Sequence, residues 1–323
     1  MATYENLHGR RVNVVSSNPS NPKEGEVWYN STLGLLKGYV LGPATVESAG
    51  NVNTGRSQAG GVGTMTAGIM FGGETPSLTG ATEEFDGTSW SNGGTCPATK
   101  SDMHSSGTQT AALWGGGSPT SSASYLYDGS SWTGTGAMTF ANRDVFGGSA
   151  GISTAALQVG GFISPGNYSA TMQTFDGSSW TNIPQTFPSA PKTGNFSTTG
   201  IQTACISAGP GTDSIEWNGS TWTATNNLAT GNSSAVHQGT VSASVLMTGP
   251  PPSGGYGTGI QLWDGTNWSN SPLTFTTGRS QAVGGGSASA GYVAAGADGT
   301  PNHTNTTEIF TAAAVATKTL TTG

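Results

Sequence analysis

The stretch FDGTSW at residues 85–90 returns as YDGSSW at 127–132, FDGSSW at 175–180, EWNGSTW at 216–222 and LWDGTNW at 262–268. An Asp-Gly or Asn-Gly pair between apolar residues is the strongest short signal for a β-hairpin, and a type I′ turn there needs positive φ at both central residues. Each copy therefore reads as a strand ending in Phe, Tyr or Trp, a tight turn, and a strand that opens on Trp. The strand-opening indoles are Trp90, Trp132, Trp180, Trp222 and Trp268, at steps of 42, 48, 42 and 46 residues. A period in this range marks the blade of a β-propeller.

Outward from the turn, each unit supplies two more strands. The first is rich in Gly, Ala and Ser; the second ends in glycine, as in AGIMFGG (67–73), TAALWGG (110–116), TAALQVGG (154–161), TACISAG (203–209) and SASVLMTG (242–249). Small residues suit a strand near a crowded axis, and the Trp suits an outer strand where neighbouring blades splay apart. Losing one such buried indole would cost about 3–5 kcal/mol. A sixth, worn copy completes the series. TTEIFTAAAV (306–315) aligns with ATEEFDGTSW (81–90), placing Phe310 at Phe85 and Val315 at Trp90, and TGRSQAVGGGSASAGYVAAG (277–296) repeats TGRSQAGGVGTMTAGIMFGG (54–73).

Composition agrees. Of 323 residues 52 are Gly and only 8% are charged, against roughly 25% in an average soluble protein. Nine Trp, ten Phe and eight Tyr at regular places argue against disorder. The net charge of −7 argues against a nucleic-acid groove. Cys96 and Cys205 stand alone in different repeats and read as buried thiols, not as a zinc site or disulfide framework. With no apolar leader region and no run of 18 apolar residues, the expectation is synthesis in a cytoplasm without membrane insertion.

The units resemble kelch repeats, whose pattern is a basic residue, a Gly-Gly pair, an aromatic-Asp or aromatic-Asn corner and a Trp. The resemblance covers about 53–315. It is incomplete: the fifth repeat lacks the basic residue, the fourth and fifth lack the Gly pair, and the sixth lacks Asp, Gly and Trp. The sialidase Asp box is a poorer fit, since it needs a spacer between Asp and Gly and a Trp five places after Asp, whereas Gly87 follows Asp86 directly and Trp90 stands four places on. The resemblance implies an all-β, six-bladed, kelch-like β-propeller over 46–323, preceded by an N-terminal segment, 1–45, with a hairpin.

That hairpin is read from NPSNPKEGEVWYNSTLGLLKGYV (18–40): the strand GEVWYN, the turn STLG and the strand LLKGYV. This stretch resembles a module near the N-termini of structural and tail-fibre-like proteins of tailed phages, marine ones especially, in which Asn-Pro, a Trp-Tyr-Asn strand and a Leu-Lys strand recur. The resemblance implies a virion protein made in the host cytoplasm, fastened to other virion proteins by the segment that holds Trp28, Tyr29 and Asn30. Two accounts of ring closure stay open. An N-terminal strand completes the sixth blade, or VATKTLTT (315–322) is its last strand while the hairpin docks separately.

Arg56, Lys100, Arg143, Lys192 and Arg279 are the only basic residues between 53 and 315, and each precedes the first strand of a repeat. They read either as a ring around an anion site or, more simply, as ties between blades through carbonyls or an acid such as Asp102 or Asp144. Catalytic signals are sparse. His8, His104, His237 and His303 fall at unrelated positions, and Glu83 and Glu84, as strand neighbours, point to opposite faces. Nothing supports transfer of the copper site of oxidase kelch propellers, and Asp86, Asp128, Asp176 and Asp264 are turn residues that need no calcium to explain them. The expectation is no enzyme, no cofactor and no metal. The loops between second and third strands vary most, which points recognition to Asn167, Tyr168, Tyr256 and His303, with a host surface glycan and self-association as further expectations. The rival readings are a cellular kelch interaction module and a carbohydrate-active enzyme.

Overall fold

The computed structural model describes residues 12–143, 149–164, 167–188, 196–251, 254–300 and 303–320. The described residues are all-β, with seven four-stranded sheets and a two-stranded ribbon at Glu74–Thr75 and Ser77–Leu78. No helix among them is long and apolar enough to cross a membrane. The chain divides into two compact units, Val46–Thr311 and the combination of Met1–Thr45 with Ala312–Gly323.

Six of the sheets are built by the repeats, and five of them are antiparallel meanders. The first runs Gly60–Thr64, Ala67–Phe71, Thr82–Phe85 and Trp90–Asn92. The next four begin at His104–Thr108, Ser149–Ile152, Ser197–Ile201 and Val236–Thr240, and end at the strands opened by Trp132, Trp180, Trp222 and Trp268. In the sixth, Val283–Gly286, Ala290–Ala294 and Thr307–Thr311 are joined by Thr45–Ala49, from the other end of the chain. The first strands neighbour one another in chain order, and the sixth returns to the first. This is compatible with a propeller-like arrangement.

The recurring turn differs from the expected type I′. Phe85 pairs directly with Trp90, so the loop has four residues, 86–89, and only Gly87 has positive φ, at 95°. The reason lies in the Asp side chain. Asp86 Oδ1 accepts the N–H groups of Thr88 and Ser89, both at 2.8 Å, so the carboxylate organises the loop that a second positive φ would otherwise shape. Asp128, Asp176, Asn218 and Asp264 repeat this cap. These bonds hold the Asp86 and Asp264 carboxyls below their ordinary pKa and bring that of Asp128 down to about 2.

The indoles join one sheet to the one before it. Trp132 Nε1 donates to Thr82 Oγ1 at 2.9 Å, Trp180 to Ser124 Oγ at 3.1 Å, Trp268 to Ser214 Oγ at 3.1 Å, and Trp90 reaches back to Thr307 of the sixth sheet at 2.9 Å. Trp222 meets Met172 Sδ instead, at 3.2 Å. Each acceptor stands three residues before the aromatic that ends its strand. In the fifth repeat that place is held by apolar Ile260, and the sheet that follows it has no Trp to be received. The buried apolar clusters lie in the same seams, for example Phe71, Trp114 and Trp132 between the first and second sheets. Phe85, Trp90 and Tyr292 fill the seam of the sixth with the first.

Axial crowding is only part of the reason for the small first strands. Their inner edges have no further strand to pair with, and side chains from neighbouring sheets occupy the exposed carbonyls. Ser105 Oγ donates to Gly61 O (3.3 Å), Ser149 Oγ to Ser105 O (2.7 Å) and Thr199 Oγ1 to Gly239 O (3.1 Å). The glycine near the end of each strand has a second cause. Gly107 has φ of 115°, and a Cβ there would fall on the carbonyl oxygen of Ala111.

In the other unit, Asn13–Val15 lies parallel to Val27–Asn30, which forms the expected hairpin with Leu35–Leu41. Val315–Thr319 then pairs with Leu35–Leu41. This corrects two expectations. Val315–Thr319 does not belong with the repeats, and Val315 does not take the place of Trp90. Without the Asx-Gly turn the chain does not double back after Phe310, and the outer position of the sixth sheet is filled by Thr45–Ala49.

Candidate functional site

In these meanders the Asx turns and the tips between first and second strands share one end, where Gly87 lies against Thr66. The long variable loops and the entries to the first strands share the other.

At those entries the described basic side chains are bonded to the frame. Arg56 is buried against Glu83 and also donates to Ala81 O at 3.3 Å. Arg279 is buried against Glu308 and donates to Thr306 O at 2.9 Å. Burial lowers both guanidinium pKa values, and the adjacent carboxylates oppose that shift. Lys100 Nζ donates to Pro119 O at 2.9 Å. The five positions are not equivalent. The entry carbonyl that accepts the glycine N–H of the preceding sheet belongs to Lys100, Arg279 and Arg56 in three repeats but to Asn142 in the third. Arg143 therefore sits one place beyond, donating to Ser118 Oγ at 3.1 Å with its guanidinium 4.5 Å over the Phe162 ring. Lys192 lies outside the described residues. The ties expected through carbonyls or a nearby acid such as Asp102 or Asp144 run, for the two arginines, through carbonyls and through Glu83 and Glu308, and Asp144 lies outside the described residues.

Tyr168 is half-buried, its ring edge-on to Phe162 at 5.4 Å, so it packs within its own loop; the Asn167 side chain lies outside the described atoms. Tyr256 is 46% exposed. His303, at φ of 58°, places Nε2 3.5 Å from Ser57 Oγ. In the other unit, Trp28 and Asn30 are buried and share Asn18 Oδ1 as acceptor, at 3.2 and 3.0 Å, while Tyr29 between them points outward. Alternation along the strand thus leaves one of the three exposed.

The six first strands surround a cavity of about 260 Å³, with Gly61, Ser106, Gly151, Thr199, Gln238 and Gly284 each contributing from a different strand. Among the described residues Asp102 is the one carboxylate in its lining, and no Lys or Arg lines it. Hydroxyls and glycine backbone make it a place for water and small uncharged polar groups. Among the described residues no three His, Cys, Asp or Glu side chains are grouped as a metal would require. Cys96 and Cys205 are free and buried, and burial pushes the Cys96 thiol up to about 12, far from a reactive thiolate.

Two histidines that the sequence reading left unassigned hold seams. His237 Nδ1 donates to Ser197 O of the preceding sheet at 2.9 Å, and in the neutral ring Nε2 accepts from Ser244 Oγ at 2.9 Å. His104 Nε2 lies 3.2 Å from Asn142 Oδ1. Burial lowers their pKa values to about 4 and about 3. Both are neutral in the native and unfolded states above pH 6.5, so neither affects stability there. Below it the unfolded chain takes up protons that the native state refuses. Each histidine then costs about 1.4 kcal/mol of stability per pH unit, down to about pH 4 for His237 and about pH 3 for His104. Urea midpoints measured from pH 7 to 4 are expected to fall steeply below 6.5, and the His237→Gln variant should show a shallower slope; parallel profiles for the two proteins would refute this assignment.

Comparison with protein-family models and with curated proteins gives no match to this chain.

Proposed function

We propose that Val46–Thr311 is a six-bladed, kelch-like β-propeller, and that the chain is a non-enzymatic structural and adhesion protein of a phage particle. Residues 1–45 fasten it to other virion proteins, and the variable loops face a host surface. The observation that carries the non-enzymatic half is where the ionisable groups go. Arg56, Arg279, Glu83, Glu308, His104 and His237 are all buried in the frame, and the turn aspartates are spent on capping. The loops vary on this fixed support, as binding surfaces do. The virion half rests on the likeness of residues 18–40 to phage structural proteins, and a separate folded unit around those residues is in keeping with an attachment role.

Mass spectrometry of purified particles tests the reading directly. The chain should be present, and a variant lacking residues 1–41 but keeping Thr45–Ala49 should fall at least about tenfold in particle content while its near-ultraviolet circular dichroism is retained. Absence of the full-length chain from particles would favour a cellular interaction module. Turnover of a glycan or an oxidisable substrate by purified protein would overturn the non-enzymatic assignment.

A further inference from the structure

Tyr256 differs from every other large aromatic side chain described in Val46–Thr311. The Trp, Phe and remaining Tyr rings there are buried or half-buried, whereas Tyr256 is 46% exposed. Its ring is held over a neighbouring loop. A Cβ added to Gly299 would stand 3.0 Å from Tyr256 Cε2, so the absence of a side chain at Gly299 is what lets the ring approach. The Gly299 φ of 90° also suits glycine alone. The fifth-repeat and sixth-repeat loops, both long in sequence, therefore meet at this pair.

The described residues of the second loop make bonds of their own. Asp298 Oδ1 accepts the backbone N–H and the hydroxyl of Thr300, at 3.0 and 2.6 Å. Thr304 N–H donates to Gly296 O at 3.0 Å, and His303 approaches Ser57 of the first repeat. Among the described residues no hydrogen bond is made to Asp298 Oδ2, although the buried Arg279 attracts the carboxylate, and this leaves an acceptor one residue away from the aromatic surface. Arg279, the cation that acts on the Asp298 carboxylate, is buried against Glu308, so among the described residues no exposed cation is placed here to meet an anionic ligand.

We propose that Tyr256, Gly299 and Asp298 form a binding subsite for an uncharged carbohydrate. The apolar C–H face of a sugar ring lies against Tyr256, and a ring hydroxyl donates to Asp298 Oδ2. An aromatic surface supplies contact area at little entropic cost, and a carboxylate accepts hydroxyl protons in a fixed direction. The bonds that hold Asp298 to Thr300 lower the ordering cost of binding. This inference gives a ligand class to the adhesion role proposed above.

The test is an array of neutral, sialylated and sulfated glycans probed with the full-length chain, followed by titration of the best neutral ligand. Neutral glycans should bind and acidic ones should not. Tyr256→Ala should weaken binding at least about tenfold and Asp298→Asn by a smaller factor, with unchanged near-ultraviolet circular dichroism in both. Unchanged affinity in Tyr256→Ala, preference for acidic glycans, or binding only to a protein partner would each overturn the subsite. An array without any bound glycan would also overturn it, and if the chain is still present in particles, the virion reading stands without it.

Discussion

Replacing Glu308 by Ala should destabilise the repeat unit by about 3–5 kcal/mol, the range for removing one partner of a buried ion pair. Arg279 would be left without its ion-pair partner at 0% exposure, retaining its bonds to carbonyls and to Thr306 Oγ1 and the weaker attraction of Asp298. The carboxylate also does more than balance charge. Its Oε1 accepts the N–H of Thr276 at 2.7 Å and its Oε2 that of Thr277 at 3.2 Å, so both donors would be orphaned as well. Two controls separate these effects. Glu308→Gln keeps an acceptor for the loop but removes the charge, and should lie between wild type and Glu308→Ala. The double variant Arg279→Met/Glu308→Met should recover much of the loss, because replacing both charges by apolar groups of similar length avoids the lone buried cation. Urea unfolding followed by Trp fluorescence measures all three. A double variant no more stable than Glu308→Ala would show that the ion pair itself, and not the stranded charge, is what matters.

The same residues show how much of the molecule is legible in its sequence. Repeat length, strand order within a repeat and the outer position of the Trp follow from short-range patterns, because turn chemistry and strand alternation act over a few residues. The partner of Arg279 stands 29 residues away, and the spacing alone does not reveal it. A signal was nevertheless present. The residue two places before the strand-ending aromatic is Glu in the two repeats whose entry position is Arg, and Gln173 or Gln261 in two repeats where that position is Asn. Gln261 bonds Thr230 in the way that Glu308 bonds Thr276, so this place clamps the entering loop whatever its charge. The offset of Arg143 is hidden because the third repeat has two extra residues here: its entry stands nine residues before the strand glycine, Asn142 to Gly151, where Arg56 to Gly63 and Lys100 to Gly107 span seven. At the proposed sugar subsite, Tyr256 was readable as a loop aromatic, but its seat on Gly299 depends on two loops meeting across about forty residues of chain.

The closing strand was the least legible element, since Thr45–Ala49 carries neither the Asx-Gly turn nor the Trp of the others, and its removal is expected to have the largest effect of any local change. Deleting residues 1–52, rather than 1–41, takes away a five-residue strand whose ladder bonds are worth about 1 kcal/mol each and the buried Val52 side chain at about 1.5–3 kcal/mol. It also takes the bonds from Gly50 N–H to Thr88 O and from Val52 N–H to Asn305 O, both 2.9 Å, which fix the connection after the strand. The sum is of the order of the whole stability of a domain. The damage should begin locally. Thr307–Thr311 would become an exposed edge, and the seam between the fifth and sixth sheets is the one in which apolar Ile260 receives no indole. Hydrogen exchange of the truncated chain should therefore show Val283–Gly286, Ala290–Ala294 and Thr307–Thr311 losing protection first. His104–Thr108 and Ala111–Gly115, held between indole-bridged seams, should lose it later. Uniform loss of protection across all six sheets would mean that the seams unfold as one unit, and that the missing indole leaves no weak point.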